Sequence, residues 1–538
     1  MFTTIIKARN YSQWSIDGDN YNGSFSPYFH PLKYKLFHGD NFSFSLFNEI
    51  EIEIEKSIIR ESPYIPGVLI LTKTFGSIKG TKKMYYRCIP NDPHYPSFLV
   101  AYEMPMMGFN KTTTNLYILF RFKEWTNQFP IGVIDRIIGP VDIIENLYDY
   151  EIFCKGLDNP TMRRFAKEVN QSLSLLTQTM TMTMTKEEYI FSIDPPDCRD
   201  YDDAFSIRED NDNIIHLCVY IANVPLLLDK LAIWDRIEQV STIYLPNKKK
   251  TMLPSVLSDD LCSLQSEKSR ETMVMEIVIS LNEVKDILFY NRQVFIQRNY
   301  HYEEPQLLSN SNYQLLERTV SNLASQYTYM TEVKDSHDIV AFLMIMMNHQ
   351  IGSRLDTGIF RTTEELQKPR SAIYAQWCSQ YVGAYIILEK NLKSRGARHE
   401  ALQLDSYIHI TSPIRRIVDI INMILFQQQM GLANFSLLAN QFVSQWISKI
   451  AVINDQTRKI RRLQNTCDMI HLFKNMTSIE GIILAKDGNN VHIFFLSIRK
   501  IFVTSLITEV ELSKTYCFCI HIFEDEDKMK KKIRLNVL

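Results

Sequence analysis

The segment Ile193-Asp194-Pro-Pro-Asp-Cys-Arg-Asp200-Tyr-Asp202-Asp203-Ala204 constrains this chain more than any other. Five carboxylates fall within ten residues, between two strand-like runs, Tyr189–Ile193 and Ala204–Ile207. Two consecutive prolines forbid a regular helix or a central strand there. The acids therefore sit on a bent loop, where side chains of both strand parities can converge. Carboxylates this close repel one another, and divalent cations relieve the repulsion. Mg2+ prefers hard oxygen ligands, and two such ions about 3.5–4 Å apart can align a phosphoryl displacement. An EF-hand loop fails on position. Counted from Asp194 the sixth residue is Arg199, and counted from Asp200 it is Phe205, where glycine is required. The rival reading is a solvated acidic turn, and the residues alone leave both open.

A second constellation is Tyr407-Ile-His-Ile-Thr-Ser-Pro-Ile-Arg415-Arg416. Two guanidiniums follow a Ser-Pro at a helix start. Arginine matches phosphate oxygens as a bidentate fork, and the helix N-terminus adds partial positive charge. A helix start with two exposed arginines is the plainer alternative. His409 reads as structural, and Leu343-Met-Ile-Met-Met347 as helix core. Lys248-Lys-Lys250 either faces an opening near Tyr244 or is a solvated turn, and the basic run from Lys528 to Arg534 reads as a solvated strand end beside Glu524–Asp527.

At about 150 residues per domain, 538 residues imply three or four domains. Residues 1–75 and 76–150 read as short strands split by turns, a pattern of small barrels. In Glu49–Glu55 the Glu/Ile alternation puts the isoleucines on one buried face. Helical spacing marks 151–176, and Thr177–Lys186 reads as a linker or edge strand. Strands predominate over 187–290. Helices predominate over 312–475, with Asp338–Leu355, Ala372–Lys393, Arg415–Gln429 and Asn434–Phe473 as the main ones. Strands return from 478.

Lys+Arg at 59 nearly balances Asp+Glu at 61, so net charge does not announce a nucleic-acid binder. A basic channel can be offset by acidic outer faces. The nine cysteines include no Cys-x-x-Cys pair, which points away from a zinc ribbon or disulfide framework and toward free thiols in a reducing compartment, the cytoplasm or another intracellular one. The longest apolar run, Ile339–Met347, has nine residues where a membrane span needs about 20, and the first ten residues lack the apolar stretch of a secretory signal.

Together the two constellations resemble the RNB family, the exoribonucleases of the RNase II, RNase R and exosome catalytic-subunit type. Those enzymes carry Asp-Pro…Asp-x-Asp-Asp-Ala and, downstream, Thr-Ser-Pro-Ile-Arg-(Arg/Lys). Between them this chain adds His216–Val224, Arg236, Tyr244-Leu-Pro246, Met252-Leu-Pro254 and Leu257–Leu264. Asn348, Gly358-Ile-Phe-Arg361 and His399-Glu-Ala-Leu402 follow in the same order. The resemblance is strong over 187–430. Outside that span, Asp92-Pro-His-Tyr-Pro96 and Pro130-Ile-Gly132 resemble a cold-shock barrel of the exosome-type members.

The resemblance implies a multi-domain α+β protein. Residues 1–75 would be a first OB or cold-shock-like barrel, and 76–186 a second with a helical linker. Residues 187–475 would be the RNB catalytic domain, and 476–538 a C-terminal OB-type RNA-binding barrel. No PIN-type nuclease domain is expected before the first barrel. It further implies metal-dependent hydrolysis of single-stranded RNA from the 3′ end, releasing nucleoside 5′-monophosphates, with Mg2+ as cofactor and Mn2+ as the alternative. Asp194, Asp200, Asp202 and Asp203 would hold metal, Asp202 being the most rate-critical acid. Arg415, with Arg416, would stabilise charge on the scissile phosphate. Tyr244, Phe360, Arg236 and Asn348 would bind RNA, the two aromatics by stacking on bases at the 3′ end. The expected partners are RNA and other RNA-decay proteins, with no membrane, and the chain is expected to be a monomer.

Several positions depart from the family pattern. Asn223 stands for Asp, Pro225 for Ser, Met423-Ile424 for a His-Arg pair, Ala341 or Phe342 for an acid, and Gln464-Asn465 for Gln-Arg. They motivate an alternative: a catalytically weakened RNA-binding protein of the same fold, or a scaffold in an RNA-decay assembly.

Overall fold

The structure, a computed structural model, describes residues 1–18, 29–46, 50–104, 113–176, 188–330, 332–365, 381–389, 398–525 and 530–538. The expected linker Thr177–Lys186, Cys378 and the first residues of the basic run at Lys528 lie outside the described residues. The chain divides into two compact units. One comprises Met1–Asp158, Asn465–Ile482 and Phe495–Leu538, the other Asn159–Gln464 and Ile483–Phe494.

In the first unit, β1 (Phe2–Ile6), β2 (Trp14–Gly18), β3 (Asn41–Leu46) and β4 (Ile50–Lys56) form one sheet in the order β2-β1-β3-β4. The Glu/Ile alternation read in the sequence is β4, and it turns Ile52 and Ile54 toward Phe29, Leu36 and Phe42. Next come β5 (Ile65–Ser77), β6 (Met84–Pro90), β7 (Phe98–Tyr102), β8 (Leu116–Glu124) and β9 (Ile131–Pro140). They close into a barrel in the order β5-β6-β7-β9-β8, with β7 and β9 parallel. Five strands closed in this way are the connectivity of an OB fold. Leu69, Tyr86, Phe98, Val100, Ile118 and Phe120 fill it. Gly132 permits Phe120 to lie against the β9 backbone: a Cβ there would stand 2.6 Å from the ring. The boundary read at 75/76 falls inside β5. Its buried half ends at Leu71 and its far half, with Lys73 and Gly76, is exposed, so the composition changes while the strand continues.

Helix α1 (Ile144–Cys154) closes the first stretch. In the second unit α2 (Met162–Leu176) precedes β10 (Phe191–Asp194), β11 (Asp203–Glu209), β12 (Ile215–Ala222), the small hairpin β13 (Ile243–Leu245) and β14 (Lys248–Lys250), then β15 (Lys268–Ser280), β16 (Glu283–Ile296) and β17 (Arg298–His301). Six of these strands form a sheet in the order β16-β15-β12-β11-β10-β17, with β10 and β17 parallel. Period two puts Phe191, Ile193, Phe205, Ile207, Val219, Met275 and Ile277 on one face. That face packs on α3 (Ser311–Ala324) and α4 (Ser336–Arg354) through Leu316, Val320, Phe342, Leu343 and Met346. The methionine-rich segment is core, as expected.

The sequence reading expects a helix over Ala372–Lys393. Its described part, Tyr381–Glu389, is instead strand β19, paired antiparallel with β18 (Thr357–Glu365). The run Tyr381-Val-Gly-Ala-Tyr-Ile-Ile is β-branched and aromatic, and pairing with β18 outweighs its helical spacing. Helices α5 (Ile417–Gln429), α6 (Leu437–Ile447) and α7 (Ile450–Phe473) follow. Then β20 (Ser478–Asp487), β21 (Asn490–Phe495), β22 (Lys500–Ser505), β23 (Thr515–Glu524) and β24 (Lys531–Val537) form a sheet in the order β22-β21-β20-β23-β24. Among the described residues no helix is long and apolar enough to cross a membrane.

Candidate active site

The aspartate loop joins the ends of two adjacent strands. Asp194 ends β10 and Asp203 begins β11. After Pro195 and Pro196 the chain reverses through Asp197 at φ +64°, a conformation that Asp tolerates better than most residues. Ser263 pins the loop: its hydroxyl donates to the Arg199 carbonyl at 2.7 Å and accepts from the Tyr201 amide at 3.0 Å. The Leu264 amide donates to the Tyr201 carbonyl at 3.0 Å. The loop is not a solvated turn. Asp194, Asp200 and Asp202 are all buried, Asp202 to 3% exposure, and with Asp203 they line a cavity of about 560 Å3.

Each carboxylate has different company. Asp202 accepts from the Ile414 amide at 2.9 Å and from Arg415 Nε at 3.0 Å. Arg415, more than two hundred residues downstream, thus faces the cluster, and its Nη2 donates to Ser412 Oγ at 3.1 Å. Asp200 accepts from the Tyr244 hydroxyl at 3.0 Å and from Lys249 Nζ at 2.9 Å. Lys249 also donates to Asp259 at 2.9 Å. By contrast, Oδ2 of Asp194 and Oδ2 of Asp203 are buried without a hydrogen-bond partner.

This arrangement works against full ionisation. Burial raises the Asp194 carboxyl to about 7, and neighbouring Asp202 and Asp200 add to it while Ser192 and Arg415 oppose. Burial likewise raises Asp202 to about 7, against Arg415 and the Ile414 amide, and Asp203 to about 8, with Asp194 adding. Burial works against the Lys249 charge, but its bonds to Asp200 and Asp259 leave its pKa raised.

The Thr-Ser-Pro segment is held by Asp419 in the first turn of α5. Asp419 accepts from the Ser412 amide at 2.8 Å and from Arg416 at 2.8 Å. Arg416 is therefore not a partner of Arg415 in the cavity: its guanidinium is committed to Asp419, and it does not line the cavity. The three other RNA-binding expectations also change. Phe360 is 0% exposed within the second unit's core, because its position on β18 points it inward. Asn348 is buried and clamps the segment from below, accepting from the Ile410 amide at 3.0 Å and donating to Tyr407 at 3.2 Å. Arg236 pairs with Glu168 of α2 at 2.5 Å, away from the cavity. Tyr244 does line the cavity and is 37% exposed.

Of the two readings of the Lys248–Lys250 run, Lys249 takes the one at the opening: it pairs with Tyr244 across the β13–β14 hairpin and lines the cavity. Two lining residues lie outside the sequence reading. Tyr302 and His337 stack at 3.6 Å between centroids and also line the cavity. Nothing in their local sequence marks them, since the stack joins residues on separate elements.

The fit to a divalent cation is mixed but positive at two oxygens. Among the described residues no group of three His, Cys, Asp or Glu forms a ready metal cage. The orphaned buried oxygens of Asp194 and Asp203 are nevertheless hard donors of the kind Mg2+ takes.

Residues 182–333 match the RNB domain model. Over that stretch the chain is similar to RNB domains. Its sequence is 24% identical over 336 residues to ribonuclease R of Chlamydia pneumoniae, covering 48% of this chain and 50% of that protein. It is 25% identical over 267 residues to DIS3-like exonuclease 2 of Xenopus tropicalis, covering 47% and 31%. The chain thus spans at most half the length of these relatives. In fold it is similar to Mycoplasma genitalium RNase R solved with ribose-methylated single-stranded RNA. That match has a TM-score of 0.67 at 15% identity and covers 93% of this chain and 94% of that one. It is also similar to yeast Ssd1, described as a pseudonuclease, with TM-score 0.56 at 13% identity over 85% and 66% of the two chains. The chain has the α+β architecture expected of it, and in fold it is similar to that RNase R along most of its length.

Proposed function

We propose that this RNB-domain protein is a metal-dependent 3′-to-5′ exoribonuclease that hydrolyses single-stranded RNA to nucleoside 5′-monophosphates. One observation carries the reading. A buried pocket joins two carboxylates with unpartnered oxygens, Asp194 and Asp203, to a guanidinium held 3.0 Å from Asp202. The direction of degradation rests on the family resemblance.

Asp194 and Asp203 would hold the divalent cation, with Mg2+ as the metal. When bound, such an ion polarises a phosphoryl oxygen and lowers the pKa of water. This chain's own residues do the rest. Asp202 holds the Nε of Arg415, Ser412 accepts from its Nη2, and the guanidinium so fixed lines the cavity, where it can meet charge developing on a phosphate. Tyr244 and the Tyr302–His337 stack offer aromatic faces to bases, an interaction that tolerates any sequence.

Incubation of 3′-labelled and 5′-labelled single-stranded RNA with Mg2+ tests the proposal. Mononucleotide release from the 3′ label, lost with chelator and with Asp203→Asn, is expected. Internal cuts, or an unaffected variant, overturn it.

One observation favours a second reading, an RNA-binding protein with weakened catalysis. Lys249 neutralises Asp200, a carboxylate expected to bind metal. In that case RNA binds without turnover and chelator changes nothing.

A further inference from the structure

A second cluster of cationic side chains lies in the second unit, at a cavity separate from that of the aspartates. On α7, Asn454, Thr457, Arg458 and Arg461 fall at helical spacing on one face. Asn454 fastens that face to β19: its Oδ1 accepts from the Tyr385 amide at 2.8 Å and its Nδ2 donates to the Tyr385 carbonyl at 2.8 Å. The clamp brings Arg458 and Arg461 to Arg361 of β18, and these residues line a small cavity of about 30 Å3 with Gly383.

Arg361 is seated by two features. Its guanidinium lies over the ring of its cross-strand partner Tyr385, 5.0 Å from the centroid. It also lies over Gly383, where a Cβ would stand 2.6 Å from its Cζ. A glycine in a strand weakens it, and close approach of another group is what it permits. Three guanidiniums thus converge, and among the described residues no carboxylate lines the cavity. Asp455 stands 4.0 Å from Arg458 and pairs more closely with Lys459 at 2.8 Å. Burial lowers the pKa of Arg361; Arg461 and Arg416 add to this, and Tyr385 and Tyr407 oppose it.

We propose that Arg361, Arg458 and Arg461 form a binding site for a single phosphate group. Forked guanidiniums match phosphate oxygens bidentately. The volume admits a group of a few atoms. The phosphate belongs either to an RNA backbone or to a free phosphate ion, and the chemistry is shared. The RNA source rests on the function proposed above. The phosphate site does not.

The test uses the full chain and Arg461→Ala, an exposed helix position whose truncation leaves the core intact. Calorimetric titration with inorganic phosphate is expected to show saturable binding at least tenfold weaker in the variant. Single-stranded RNA affinity is then measured against salt. If Arg461 neutralises an RNA phosphate, Arg461→Ala reduces the slope of log K on log salt by about 0.7, and this assigns the site to RNA. Weakened phosphate binding with an unchanged slope assigns it to the free ion. Phosphate binding that is absent, or equal in both proteins, together with an unchanged slope, overturns the site. Hydrolysis enters neither readout, so failure of the exoribonuclease reading stays distinct from failure of this one.

Discussion

Lys249 Nζ stands 2.9 Å from Asp200 and 2.9 Å from Asp259, so a fixed ammonium neutralises one of the four aspartates at the mouth of β10 and β11. A lysine in this place does part of what a cation would do there. Lys249→Met leaves Asp200 buried with the Tyr244 hydroxyl and the weakly donating Cys198 thiol as its side-chain partners. Removing one member of such a pair costs about 1–3 kcal/mol. Thermal unfolding without divalent ions is expected to show that loss. Mg2+ is expected to raise the midpoint more in the variant than in the parent chain, because an ion now replaces the ammonium. An equal Mg2+ shift in both proteins means that Lys249 and the ion do not compete.

The buried carboxyls make a signed prediction about pH. In Asp203 the folded-state pKa is raised from 3.8 to about 8, chiefly by burial. The folded state therefore holds more protons than the unfolded one between those values, and stability falls as pH rises across the window. Asp203→Asn removes that dependence. Without divalent ions the variant is expected to melt higher than the parent at pH 8, by a few degrees, and about equally at pH 4. A variant that melts lower at pH 8 contradicts the buried, uncompensated carboxyl.

Phe360 and Tyr244 separate core from surface. Phe360→Ala creates a cavity in the second unit's core and is expected to cost about 3–5 kcal/mol of stability, read by denaturant unfolding. Tyr244→Ala removes a hydrogen bond to Asp200 and is expected to cost about 0.5–1.5 kcal/mol of stability, less than Phe360→Ala, and to weaken single-stranded RNA binding by about 1–3 kcal/mol. Tyr244→Phe should retain most of that affinity. If Phe360→Ala unfolds like the parent chain, the residue is not core.

Asn223, a departure from the family's Asp, is buried in an amide ladder. Its Nδ2 donates to Gln427 at 3.0 Å and to Asn291 at 3.1 Å, and its Oδ1 accepts from Gln427 at 3.2 Å. Asn223→Asp removes the donors and places a carboxylate against the oxygens of Gln427 and Asn291. It is expected to destabilise the chain by about 1–3 kcal/mol, read by denaturant unfolding, so the family residue is not tolerated in this surrounding.

The sequence made the core of the site legible through spacing that chemistry explains. Prolines 195 and 196 required a loop on which the aspartates could converge, and their burial in the structure excludes the solvated turn. Arg415 lies between the Ser-Pro and the helix that begins at Ile417, and it donates to Asp202. What local sequence does not carry is which neighbour each side chain finds. Phe360 and Tyr244 read alike as aromatics of the family motifs, yet β18 packs inward and the β13–β14 hairpin does not. Arg416 sits beside Arg415, but the first turn of α5 supplies Asp419 to hold it elsewhere. Met423 and Ile424, which stand for a polar pair, are fully buried in α5 and belong to packing. The helical spacing of Ala372–Lys393 misled because the pairing strand, β18, lies upstream of the window in which periodicity was read.

The most direct measurement follows products by mass spectrometry from single-stranded RNA incubated with Mg2+, beside RNA affinity for the same proteins. Nucleoside 5′-monophosphates are expected from the earliest time point with the parent chain and not with Asp203→Asn, whose RNA affinity is unchanged. A parent chain that binds RNA with the same affinity yet releases no monophosphate contradicts the hydrolytic account.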